Sequence, residues 1–152
     1  KIKDIYVLES YEALFLLYSK RLVLKKEKVI LDFSTFLQTL LKIDLSIFTK
    51  FLIFRDLRTR GYVAKEGFGF GNDFRVYERG EYSRKAAKYV IFGINEGISI
   101  KANILFENIR SIEKMGKEAI IAVIERRGEI IYYKLNRKKF TPNNKSLPKQ
   151  QI

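Results

Sequence analysis

The sequence predicts a mixed α/β chain. A small, mostly helical N-terminal domain spans residues 1–60. A C-terminal domain with a mixed β-sheet and packed helices spans 61–140, and a flexible tail covers 141–152. Three observations predict this division. Up to residue 60, apolar side chains recur at helical spacing. After Gly61 the period changes to that of strands punctuated by glycines. Both prolines of the chain fall in the tail, where polar composition predicts fraying.

Taken in order, residues 10–20 read as a helix. Ser10 is placed to cap it, and Tyr11, Leu14, Phe15 and Tyr18 share one face. Leu22–Leu24 and Val29–Leu31 read as short strands around the charged turn Lys25–Lys28. Asp32 or Ser34 then caps a second helix with Phe33, Phe36, Leu37, Leu40 and Leu41 as its apolar stripe. A third helix runs from about Leu45 to Thr59, and Gly61 stands where a left-handed terminating residue is needed. Tyr62–Lys65 and Phe74–Tyr77 read as strands flanking the glycine turn, and Glu78–Ala87 as a polar loop. Lys88–Ile94 is a strand closed by the turn Asn95-Glu96-Gly97. Leu105, Ile109 and Ile112 mark a helix over 102–115. Ala119–Ile124 and Ile130–Leu135 form a hairpin about the turn Arg126–Glu129.

Composition narrows the function classes. Thirty Lys and Arg against seventeen Asp and Glu give a net charge of +13. Such a field attracts polyanions and speeds their encounter; a Lys-rich, heat-adapted surface is the other reading. There is no cysteine and no histidine. Disulfides and thiolate or imidazole metal sites are therefore excluded, and neither a metal nor a cofactor is expected. One methionine, no cysteine and abundant Lys and Ile fit the cytoplasm of a thermophile. The longest apolar runs, such as Ala13–Leu17, are too short to cross a membrane. No signal peptide is visible, and a first residue of Lys rather than Met leaves room for residues before it.

Three motifs invite a functional reading. Gly67-x-Gly69-x-Gly71 lacks the spacing of a dinucleotide-binding turn and is followed by a strand, so it reads as a tight turn. Asp73 lacks the converging oxygen donors of a metal-dependent nuclease, so a capping or turn role fits it better. Tyr77, Arg79, Tyr82, Arg84, Lys85, Lys88 and Tyr89 interleave aromatics with cations. That pattern suits base stacking and phosphate contact, and equally suits a solvated loop beside core aromatics.

A longer pattern carries more. Phe54-Arg55-Asp56-Leu57-Arg58-Thr59-Arg60-Gly61-Tyr62-Val63-Ala64-Lys65-Glu66-Gly67 continues into Phe70-Gly71-Asn72-Asp73-Phe74-Arg75-Val76-Tyr77. With Arg110, Lys117, the Ile120–Val123 strand and Tyr132-Tyr133, it resembles the archaeal tRNA-splicing (tRNA-intron) endonuclease family over residues 55–135. The helical first part resembles the family more loosely. The resemblance implies a nuclease-like C-terminal domain. It also implies metal-independent cleavage of precursor tRNA at bulge-helix-bulge intron boundaries. In that reaction a ribose 2′-OH attacks its own phosphate, leaving a 2′,3′-cyclic phosphate and a 5′-OH. The family uses a Tyr, a His and a Lys for this, which fall here on Tyr77, Ala86 and Lys117.

The departure at Ala86 shapes the expectation. Histidine is the side chain that ordinarily titrates near neutrality, whereas Tyr and Lys as residue types titrate near about 10. A positioned general acid or base is worth about 100 to 10,000-fold. The chain is therefore expected to be a non-catalytic subunit. Its partners are a catalytic homologue, two copies of each, and precursor tRNA, with no membrane. The resemblance further implies RNA contact by Arg110, Lys117, Arg84 and Lys85. It also implies subunit contacts through Glu96, on an acidic loop, and through the edge Ile130, Ile131, Tyr132 and Tyr133. Two alternatives stay open: an active metal-independent endonuclease using Tyr77 and Lys117 with a base other than histidine, and a general RNA-binding module.

Overall fold

A computed structural model describes residues 5–71 and 73–140; the expected tail, 141–152, lies outside them. The elements run α1 (Ser10–Tyr18), β1 (Leu24–Lys26), β2 (Val29–Leu31), α2 (Phe33–Leu41), α3 (Ile47–Thr59), β3 (Val63–Glu66), β4 (Asp73–Tyr77), β5 (Tyr89–Asn95), α4 (Ala102–Lys114), β6 (Glu118–Ile124) and β7 (Ile130–Leu135). The chain is thus mixed α/β, as the sequence predicts.

The helix ends follow from local chemistry. Glu9, not Ser10, is the N-cap of α1; the Glu12 carboxylate reaches back to accept from the Glu9 amide at 3.2 Å, so Ser10 is already helical. At α2 the choice falls on Asp32, whose carboxylate accepts from the Thr35 amide at 2.7 Å. The third helix starts later than its apolar pattern suggests. Asp44 accepts from both the amide and the hydroxyl of Ser46, and that side-chain turn holds the backbone out of the helix.

Helices α1, α3 and α4 end the same way. After each, one residue takes a left-handed conformation, Lys20 (φ 58°), Gly61 (φ 86°) and Gly116 (φ 68°). The next amide then reaches back to a carbonyl in the last turn: Arg21 to Leu16, Tyr62 to Leu57, Lys117 to Ile112. This is the Schellman arrangement, which satisfies carbonyls the helix leaves unpaired. It also explains why β3 begins at Val63 rather than Tyr62. Earlier in the chain, β1 begins at Leu24, two residues later than its apolar pattern suggests.

A two-stranded antiparallel ribbon, β1–β2, stands apart from a five-stranded sheet of order β3-β4-β5-β6-β7. Pairing in the large sheet is antiparallel except for β5 and β6, which run parallel and are joined through α4 as a crossover. Strand alternation sorts the core into two layers. Ile91, Ala122, Ile124, Phe74 and Val76 face α1 and α3, where Phe51, Ile53, Phe54, Tyr11 and Leu14 are buried. Val90, Phe92, Ala119 and Ile121 face α4 through Ile109 and Ile112. Full burial of a side chain such as Phe51 or Phe74 contributes about 1.5–3 kcal/mol. The first layer draws on residues from both sides of residue 60. The α2 stripe of Phe33, Phe36, Leu37, Leu40 and Leu41 packs against its margin.

Candidate functional site

One end of the large sheet gathers the residues singled out for chemistry. In the register, Val76 lies beside Tyr89 and Tyr89 beside Glu118. The end of β4 therefore meets the beginnings of β5 and β6. Tyr77 ends β4, and the loop from Glu78 leads back to β5. Lys117 sits between the left-handed Gly116 and the first residue of β6. Tyr77 follows Arg75 by two residues, and Arg75 pairs with Val90, so Tyr77 belongs to the sheet face covered by α4.

The loop is fixed at its far end. The Lys88 amide donates to the Val76 carbonyl at 3.0 Å, and its own carbonyl accepts from the Glu118 amide at 2.9 Å. Turns closed by Glu81 to Glu78 and by Arg84 and Lys85 to Glu81 shape the rest. Ala87 is thereby buried, while Ala86 is exposed. The Lys117 ammonium donates to the Ala87 carbonyl at 2.7 Å. Ala86, Ala87 and Lys117 together line an open cleft of about 630 Å3, with Glu78, Arg79, Lys85 and Lys88 around it. Tyr77 is half-buried and its ring meets that of Tyr82 edge-on at 5.0 Å.

The other residues expected to meet RNA fare unequally. Arg84 is exposed on the loop and Arg110 on α4, and among the described residues neither forms an ion pair. Lys85 is paired with Glu81 at 3.1 Å and Lys88 with Glu78 at 2.7 Å. The Tyr89 hydroxyl donates to the same Glu78 oxygen. The bonds from Lys88 and Tyr89 hold the Glu78 carboxyl below its usual range, and the bond to Glu78 raises Lys88 above its own. Such exposed pairs add little to stability, yet they dilute the positive field of the stretch from Tyr77 to Tyr89.

The edge strand β7 splits by alternation. Ile130 and Tyr132 pack against the core, and the Tyr132 hydroxyl donates to Asp56 at 2.8 Å. Burial, reinforced by that bond, pushes the Tyr132 phenol up. Ile131 (40%) and Tyr133 (50%) are the exposed members. Glu96 accepts from the Arg126 amide at 3.2 Å within the same chain.

Phe68 was not singled out by its spacing. Its ring is 42% exposed, and the Lys117 ammonium lies 6.0 Å from its centroid. Asp73, in the turn role expected of it, accepts from the Phe68 amide at 2.6 Å. Burial raises the Asp73 carboxyl despite the amides of Phe68, Gly69 and Phe70, which act to lower it. A Cβ on Gly67 would stand 1.9 Å from the Asp73 carboxylate, so only glycine fits there. An aromatic between two glycines was the available signal. Among the described residues no three His, Cys, Asp or Glu side chains group as for a metal ion, and no helix is long and apolar enough to cross a membrane.

The sheet end with its Tyr, loop and Lys lies wholly within residues 47–132, which match the family model for the tRNA intron endonuclease catalytic C-terminal domain. The chain belongs to that family. Among its relatives is the tRNA-splicing endonuclease of Methanococcus vannielii, 30% identical over 129 residues, covering 84% of this chain and 73% of that protein. The tRNA-splicing endonuclease of Methanothermobacter thermautotrophicus is 31% identical over 132 residues, 86% of this chain and 76% of that protein. That of Thermococcus onnurineus is 33% identical over 91 residues, 60% of this chain and 52% of that protein. An archaeal-type tRNA-intron endonuclease domain thus carries alanine at position 86, in the cleft that holds Lys117.

Proposed function

We propose that this chain is a non-catalytic, structural subunit of a tRNA-splicing endonuclease. It assembles in the cytoplasm with a histidine-bearing homologue, two copies of each, and helps hold precursor tRNA while the partner cuts it at bulge-helix-bulge boundaries. The observation that carries this reading is Ala86. It lines the same cleft as Lys117, and no histidine exists in the 152 residues to replace it. Transesterification by a ribose 2′-OH needs a group to take one proton and a group to give another. A methyl group does neither. Lys117 supplies charge, which suits phosphate contact or transition-state stabilisation, but its ammonium is engaged on a backbone carbonyl. The exposed Ile131 and Tyr133 on edge strand β7 support association, since an open edge with apolar side chains favours pairing with another chain.

The test is direct. The purified chain is incubated with a bulge-helix-bulge RNA, alone and together with a histidine-bearing homologue, while light scattering reports the assembly. The expected result is no cleavage by the chain alone, a mixed complex of defined mass, and cleavage by that complex. Cleavage by the chain alone that vanishes on Lys117→Ala overturns the reading in favour of an active enzyme.

A further inference from the structure

A second cluster of cations lies away from the Ala86–Lys117 cleft. Arg21 follows α1, where its backbone amide donates to the Leu16 carbonyl at 2.8 Å. Arg55 and Arg58 lie three residues apart on α3, on one face. All three line a single groove of about 480 Å3 between the ends of α1 and α3. Arg21 and Arg58 also line an adjoining depression of about 440 Å3 that reaches Lys65 and Tyr82. Lys65 is paired there with Glu12 at 2.9 Å, and Tyr82 belongs to the same loop as Ala86, so the depression extends from the arginines toward the family site.

The three arginines converge on one groove, and two of them are already held in place. Among the described residues none of the three arginines forms an ion pair with a carboxylate, although eight other cations of the chain do. The guanidinium of Arg55 is stacked, 5.5 Å from the Tyr18 ring centroid and 5.6 Å from that of Phe51. That of Arg58 donates to the Tyr62 carbonyl at 3.2 Å. Such arginines are held in place before any ligand arrives, so less rotamer freedom is lost on binding. Cations near helix C-termini also complement the helix dipole. That accounts for Arg58 in the last turn of α3, not for Arg55 or for the convergence of Arg21 on them from a separate segment.

We propose that Arg21, Arg55 and Arg58 form a phosphodiester-binding groove, a contact for the RNA backbone separate from the cleft at Ala86 and Lys117. Planar guanidinia match phosphate oxygens, and an open groove that continues into an adjoining depression fits a polymer better than an enclosed small molecule. The choice of RNA as the polymer rests on the proposed role in tRNA splicing; the phosphate chemistry does not.

The experiment measures binding of the full chain to a bulge-helix-bulge RNA across a salt series. Three proteins are compared: the unaltered chain, the groove triple Arg21→Gln/Arg55→Gln/Arg58→Gln, and a control triple Lys28→Gln/Lys42→Gln/Lys101→Gln with the same charge change at exposed sites elsewhere. Each lost phosphate contact lowers the slope of log K against log salt by about 0.7–0.9. The groove triple is expected to lose about 2–3 in slope and at least about tenfold in affinity at 0.15 M salt, and the control triple much less. The single variant Arg21→Glu, at an exposed position after α1, gives the same direction if the triple folds poorly. Groove variants that behave like the controls, or an unaltered chain that does not bind, overturn the proposal. The cleavage assay runs on the same proteins and fails independently. A self-sufficient nuclease whose groove variants lose slope sinks the structural-subunit reading and leaves the groove standing.

Discussion

At Ala86 a methyl group faces the cleft where Lys117 presents its ammonium. Placing an imidazole there tests the proposal that the family's histidine position falls on residue 86. Proton transfer requires an imidazole nitrogen within about 2.6–3.2 Å of the atom it serves. Here the loop before position 86 is shaped by turns centred on Glu81, and neighbouring Lys85 and Lys88 are drawn to carboxylates. Ala86→His is therefore expected to leave the isolated chain without strong cleavage in a single-turnover assay on bulge-helix-bulge RNA. Strong cleavage would mean that the rest of the constellation is already in place. Asp73 illustrates a different residue-scale lesson. Its carboxylate is buried to hold the glycine turn, and through the Phe68 amide it sets an aromatic ring beside Lys117.

The elements owe their boundaries to caps as much as to hydrophobic period. Among the described residues, three of four helices terminate through the same left-handed arrangement, and two of them use glycine for it. The third uses Lys20, at φ 58°, where a Cβ costs about 1–2 kcal/mol. Lys20→Gly removes that cost while adding some backbone freedom to the unfolded chain. The variant is expected to be more stable by about 0.5–1 kcal/mol. A urea titration reads this as a higher midpoint at unchanged slope; an equal or lower midpoint contradicts it. The terminations also aim side chains. Arg21, Tyr62 and Lys117 each occupy the position after the left-handed residue, so the groove arginine and the cleft lysine are both placed by helix endings.

Over the whole molecule, the sheet is the plate on which the helices are mounted. Helix α3 packs closely on it at Gly93 on β5, where an added Cβ would meet Ile53 Cδ1 at 2.2 Å and Thr49 Cγ2 at 3.3 Å. Ile53 is fully buried, so its methyl has little room to retreat. Gly93→Ala is expected to destabilise the fold by about 1–3 kcal/mol through overpacking, measurable as a lowered urea midpoint. No change would mean that the helix and sheet slide apart at little cost. The same packing joins the helical first part to the strands, because Tyr11, Leu14 and Phe51 share a core with Phe74, Val76 and Ile91. The switch of period at residue 60 marks a change of secondary structure, and the apolar layer runs straight across it.

Taken alone, the sequence determined the kind and order of the elements and the absence of histidine from its 152 residues. Periodicity and the absence of an imidazole are local facts, readable wherever the chain goes, whereas the cap of α1 fell on Glu9 and not on Ser10. Tertiary structure decided what meets what. The parallel pairing of β5 with β6 brings Lys117 to the loop that ends at Ala87, thirty residues away. Tyr132 turns inward to Asp56 while Tyr133 stays outside. Lys85 and Lys88 find carboxylates, and Arg21 finds Arg55 and Arg58 instead. Register and helix packing arise from contacts between distant segments, and no local pattern of apolar and charged residues encodes which cation is left without a partner.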